Sequence, residues 1–153
     1  MPYLIRDEGA ALEESLLIVA WLDQLDGKPM FNLPAGEQGW EARRLEASAR
    51  SMMDGLAVWS RENGRPENER SPTIIKHEAA RSARMLDLWE TQIDHPWMHG
   101  VLNMAQITLA CTLGMDARNP DLHWRPGHPT LCGWFDSFAT RPSFVGTTPP
   151  PLR

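Results

Sequence analysis

The amino-acid sequence predicts an all-α fold, a helical bundle with one short β stub at its front. Three observations carry that expectation. Two long segments repeat apolar residues at alternating spacings of four and three. A third segment is apolar around nearly its whole circumference, and strand-like character is confined to Pro2-Tyr3-Leu4-Ile5.

Pro2 to Ile5 reads as a short strand, and Arg6-Asp7-Glu8-Gly9 supplies hairpin chemistry, with Gly9 free to take positive φ. The pattern then turns helical. Ile18, Trp21, Leu22 and Leu25 share one face of a helix over 13–25, which Asp26-Gly27 ends. Residues 28–39 form a loop punctuated by Pro29, Pro34, Gly36 and Gly39, the best candidate for an inter-domain linker.

A long helix over 40–62 carries Leu45, Ala49, Met52, Leu56 and Trp59 as one stripe, and Asn63-Gly64-Arg65-Pro66 terminates it. Ser71-Pro72 joins a cap residue to a proline at the first helical position. The helix it starts presents Ile75, Ala79, Ser82, Leu86, Trp89 and Ile93 and stops near Pro96. Two such stripes with a short connection predict antiparallel helices packed face to face. The segment 103–114 is apolar all round and belongs at the bundle centre. Asn103 and Gln106 have capping-box spacing at its start, and Leu102 with Ile107 stands at the positions of a hydrophobic staple. A last helix over 130–139 presents Leu131, Trp134, Phe135 and Phe138. The tail 147–153, with three consecutive prolines, is expected to be extended along the surface.

The chain has 153 residues with a formal net charge of -5, its charges alternating in sign, so it offers no basic footprint for nucleic acid. Its longest apolar run, Ile107 to Leu113, is too short for a bilayer, and the N-terminus does not read as a signal peptide. Cys111 and Cys132 lie in apolar sequence without metal-type spacing and read as reduced, buried thiols of a cytoplasmic protein. His95 and His99 stand four apart, but Pro96 between them breaks the helical geometry a metal pair needs, so no metal is expected.

Pro2-Tyr3-Leu4-Ile5, Gly9, Glu14-Ser15 and Trp21-Leu22-Asp23 resemble, in order and spacing, the end of the thioredoxin-like domain of glutathione S-transferases. The linker, the paired long helices, the capped central helix and Arg141-Pro142-Ser143-Phe144 resemble that family's helical C-terminal domain, in the style of bacterial members. The resemblance implies a glutathione S-transferase C-terminal-like bundle with a short N-terminal β remnant. Residues 1–26 would be the remnant, 27–39 the linker, 40–146 the helical domain and 147–153 a Pro-rich tail. The family's first two strands and first two helices have no counterpart here. With them goes the Tyr, Ser or Cys that handles the glutathione sulfur, so the catalytic residue is unknown.

The resemblance also implies the remaining chemistry. Glutathione is the co-substrate, and its γ-glutamyl end needs an anion receptor and a carboxylate. Ser15, in the first turn of a helix, offers unpaired N–H groups and a hydroxyl, and Glu14 a partner for the ammonium group. The same two residues would equally serve simply to start and cap a helix. In the family Pro2 would be cis, turning the backbone of Met1 outward to pair with the cysteinyl part of the ligand. An apolar electrophile would lie against Met52, Met53 and Leu56, which core packing between the long helices would also explain.

Transfer of glutathione to an electrophilic small molecule is the expectation by family, and a homodimer or pairing with a related full-length chain the expected assembly. The alternative is a non-catalytic helical interaction module. It predicts exposed apolar surface on residues 14–25 and along the stripe of the 40–62 helix.

Overall fold

The computed structural model of the chain describes residues 2–148, the side chain of Arg118 excepted. Within that span the chain is mostly helical with a single two-stranded sheet, and it divides into two compact units between Gly39 and Trp40.

In the first unit β1 (Tyr3–Leu4) pairs antiparallel with β2 (Leu12–Glu13) in the register Tyr3↔Glu13, Leu4↔Leu12. The hairpin is wider than the tight turn expected from Arg6 to Gly9. Arg6 Nε donates to the Ala10 carbonyl at 2.7 Å and its guanidinium lies over the Trp21 ring, 5.9 Å from the centroid. Gly9 takes φ +85°, the left-handed conformation that favours glycine at this turn.

Helix α1 spans Ser15–Leu22, shorter at both ends than the 13–25 expected from periodicity. Glu13 is spent on the sheet. At the other end the Asp23 carboxylate accepts the backbone N–H groups of Met30 and Phe31 at 2.9 and 3.0 Å, folding the following chain back onto the helix end. Leu25 keeps the period but not the helix. Helix α2 spans Glu37–Asn63, so the last positions of the expected linker are helical. Gly36, with φ +77°, makes the turn, and its carbonyl accepts Gly39 N–H at 3.1 Å.

The second unit is built on α2, α3 (Pro72–Gln92), α4 (Pro96–His99), α5 (Met104–Leu113), α6 (Pro129–Phe138) and α7 (Pro142–Gly146). The α2 stripe is buried throughout: Leu45, Ala49, Met52, Leu56 and Trp59 join Leu86, Trp89, Ile93, Leu109, Leu113 and Leu131 in one core. The expectation of an exposed stripe on this helix, drawn from the interaction-module reading, is therefore corrected. The stripe packs within its own bundle. Arg81 ties α3 to α2, donating to the Ser51 carbonyl and hydroxyl at 2.6 and 2.7 Å while pairing with Glu78 at 3.1 Å. Buried Gly55 makes the room, since a Cβ there would fall 2.5 Å from both partners of that pair.

Ser71 caps α3 as its sequence announces, its hydroxyl accepting Ile74 N–H at 3.3 Å. The capping box of α5 is half made. Asn103 Oδ1 accepts Gln106 N–H at 3.2 Å, but Gln106 does not return the bond. Its Nε2 donates instead to the Trp97 carbonyl at 2.8 Å, where Asn103 Nδ2 also donates at 2.7 Å. Both amides finish the α4–α5 turn by donating to its carbonyls. Aromatic rings fill the far end: Trp124 meets Phe135 edge-on at 5.4 Å and Phe135 meets Phe144 at 5.9 Å. Helix α7 closes at Thr147, and the prolines of the expected extended tail, 149–151, lie outside the described residues.

Candidate functional site

The residues singled out at the front of the chain converge on the start of α1. The sheet register carries Pro2 to the end of the hairpin where Glu14 begins the helix. Glu14 is the cap residue and holds φ 77°, ψ 124°, the one positive φ outside glycine among the described residues. Side-chain bearing residues avoid that region, at a cost of about 1–3 kcal/mol. The twist aims the Glu14 carboxylate at the helix end, where Oε1 accepts Ser15 N–H at 2.8 Å and Ser15 Oγ–H at 3.3 Å. The site is thus a pair of converging donors on Ser15 with a carboxylate beside them, exposed at a positive helix terminus. Met1 and its bond to Pro2 lie outside the described residues.

The proposed pocket residues lie in the second unit. Met52 and Leu56 are 2% and 1% exposed in its core, whereas Met53 is half-buried and off the stripe. The histidines are used locally. His95 caps α4, its Nδ1 accepting Trp97 N–H at 3.2 Å, with Nε2 3.4 Å from Glu41, and His99 stands 3.5 Å from Asp94. The Glu41 carboxyl sits below its ordinary range, chiefly because Arg44 hydrogen-bonds to it. Among the described residues no three His, Cys, Asp or Glu side chains gather as a metal would require.

The cysteines are a correction. Cys132 is half-buried and Cys111 exposed, although Cys111 sits in the most apolar helix. Helix α5 turns Ala110 and Thr112 to the core and Cys111 away from it. Partial burial still pushes the Cys111 thiol above its ordinary value, so it is no activated nucleophile. Among the described residues no helix is long and apolar enough to cross a membrane.

Two carboxylates have structural roles that the sequence reading does not assign. Asp23 organises the chain after α1, and Glu90 of α3 accepts the N–H groups of Thr130 and Leu131. Asp23 had a local signal, an acid at a helix end before Gly and Pro. Glu90 had none.

No protein-family model matches the chain. Over 152 residues it is 26% identical to the uncharacterised GST-like protein YibF of Escherichia coli K12, covering 98% of this chain and 75% of that one. Among solved structures it is similar to a glutathione transferase family member of Pseudomonas fluorescens Pf-5 with bound glutathione. The identity is 31% and the TM-score 0.86, over 98% of this chain and 74% of that one. A Methylobacillus flagellatus KT glutathione S-transferase with glutathione bound is 26% identical, TM-score 0.82, over 98% and 76%. A β-hairpin and a capped, donor-bearing helix followed in sequence by a helical bundle is the class these features define. The chain belongs to the glutathione transferase family.

Proposed function

We propose that the chain binds glutathione through its γ-glutamyl end at Glu14 and Ser15 and serves glutathione-transfer chemistry toward an apolar electrophile. The observation that carries the reading is the convergence of Ser15 N–H and Oγ–H on one carboxylate oxygen, at 2.8 and 3.3 Å. Donors that hold one carboxylate would hold the ligand's α-carboxylate in the same way, leaving Glu14 for its ammonium group. Support also comes from the Pseudomonas and Methylobacillus relatives, which carry bound glutathione.

In this reading residues 1–26 form the glutathione-binding remnant, 27–39 the linker and 40–146 the helical domain. Pro2 and Met1 meet the cysteinyl backbone, and Met53 is the pocket residue best suited to a second substrate, with Met52 and Leu56 behind it. The group that activates the ligand thiol is assigned to no residue of this chain. Thiolate formation needs a donor near the sulfur. Calorimetric titration of glutathione into wild type, Glu14→Ala and Ser15→Ala tests the site, with weaker binding expected in both variants than in the wild type. Equal affinity in all three would remove it.

A second reading, a non-catalytic module pairing with its own copy or a related chain, draws on the apolar faces of α1. Leu16 and Leu17 are 47% and 50% exposed, and α1 has no buried residue. Sizing the protein across a hundredfold concentration range tests this reading; a constant monomer argues against it.

A further inference from the structure

Within the helical unit, an open groove of about 370 Å³ runs between the α4–α5 turn and α6, in the range of small-molecule sites. Its apolar wall is Met98, Trp134 and Phe138, the two rings stacked 5.3 Å apart. Its polar atoms are mostly spent on the fold. Trp134 Nε1 donates to the Met98 carbonyl at 2.7 Å, and Gln106, 4% exposed, gives its Nε2 to the Trp97 carbonyl.

Two features are left without a structural use. Gly133 sits inside α6, where glycine weakens a helix, yet nothing lies within 4 Å of the position its Cβ would take. The glycine relieves no crowding and leaves its stretch of the groove lining without a side chain. At the rim, the Arg141 guanidinium lies 5.5 Å from the Phe138 centroid, and among the described residues it makes no hydrogen bond or ion pair. Arg125, by contrast, stacks in the same way on Trp124 and is neutralised by Asp136 at 2.9 Å. A planar fork of donors beside an aromatic wall suits a bidentate carboxylate joined to a flat ring.

We infer that this groove binds a small aryl carboxylate, its ring against Trp134 and Phe138 and its carboxylate on Arg141. The site is separate from the start of α1 and does not depend on the glutathione reading. The probe is 2-naphthoate, titrated calorimetrically into the full chain, with 2-naphthylmethanol as its uncharged counterpart. Saturable naphthoate binding is expected, about tenfold weaker in Arg141→Gln, with the alcohol weaker on wild type by a similar factor. Gly133→Leu, which puts a side chain into the open space, abolishes binding. Ser137→Phe fills the groove from one turn further along α6 and serves if Gly133→Leu loses its helical circular dichroism. Saturating glutathione leaves binding unchanged. The inference is overturned by absence of saturable binding at millimolar naphthoate, by equal affinity in Arg141→Gln, by binding that survives the filling variant, or by competition from glutathione.

Discussion

Glu90, in the last turn of α3, caps a helix that begins 39 residues later. Its two carboxylate oxygens accept Leu131 N–H at 2.8 Å and Thr130 N–H at 2.9 Å, satisfying the first donors of α6. The cap residue of α6 itself, His128, is occupied elsewhere, with Nδ1 2.6 Å from the Trp124 carbonyl and Nε2 3.1 Å from Asp87. Loss of water around the Glu90 carboxyl works to raise its pKa. The N–H groups of Leu131 and Thr130 outweigh that and hold it below the ordinary glutamate range.

A depressed folded-state pKa contributes stability that is complete above the unfolded value and lost as pH falls through the folded one. Wild type is therefore expected to melt a few degrees above Glu90→Gln at neutral pH. The two melting curves should converge as acid protonates Glu90, below about pH 4. Melts recorded from pH 7 to pH 3 test this. Parallel curves would show that the Glu90 charge is not what holds α6.

Such a contact explains how far the sequence could be read. The stripe of Leu45, Ala49, Met52, Leu56 and Trp59 and the Ser71-Pro72 start are local patterns, and the fold keeps them as written. Leu25 continues the α1 period, but Asp23 uses its carboxylate on Met30 and Phe31, so a contact seven residues away ends the helix first. Cys111 lies in an apolar run whose outward face no pattern of neighbours could reveal, because nearly every residue there is apolar. At the candidate site, residue types and order suggested Glu14 and Ser15. The positive φ of Glu14 was invisible, since glycine is the usual signal for that conformation.

Asn103 links two chain segments through both ends of its amide. Its oxygen caps α5 on Gln106 N–H, while its nitrogen donates to the Trp97 and Val101 carbonyls at 2.7 and 3.1 Å, and the residue is buried. Asn103→Ala removes a cap and one of the two amide donors to the Trp97 and Val101 carbonyls, which keep Gln106 Nε2, at an expected cost of about 1–2 kcal/mol. Asn103→Asp keeps the acceptor but loses the donors and is expected to fall between. Urea unfolding midpoints rank the three. An aspartate variant as stable as wild type would mean that the donor side contributes nothing.

Cys111 is accessible but not activated. Desolvation pushes its thiol above the ordinary value, so the thiolate is scarce at neutral pH. Alkylation by iodoacetamide, followed by intact mass, is expected to be slow at pH 7 and to rise about tenfold per pH unit toward pH 9. Cys111→Ser should lose the faster-labelled position. A rate already at its plateau at neutral pH would contradict the environment described.

Glu14 both strains the backbone and occupies the donors that a ligand carboxylate would need. Two substitutions separate these effects. Glu14→Gly removes the Cβ that makes φ 77° unfavourable, and glycine is a tolerable cap, so stability is expected to rise by about 1 kcal/mol. Glu14→Ala keeps the strain and loses the bonds to Ser15, so it is expected to lose about 0.5–2 kcal/mol. Both variants lack the partner for an ammonium group and should bind glutathione more weakly than wild type. A desamino analogue, glutaryl-cysteinyl-glycine, has the γ-linked chain without the amine. It has no use for Glu14 and must displace it from Ser15 in wild type alone. It is therefore expected to bind both variants more tightly than wild type, the reverse of glutathione. Calorimetry with the two ligands on the three proteins reads the crossing directly. If both ligands weaken together, Glu14 holds the helix end in shape and does not contend with the ligand for it.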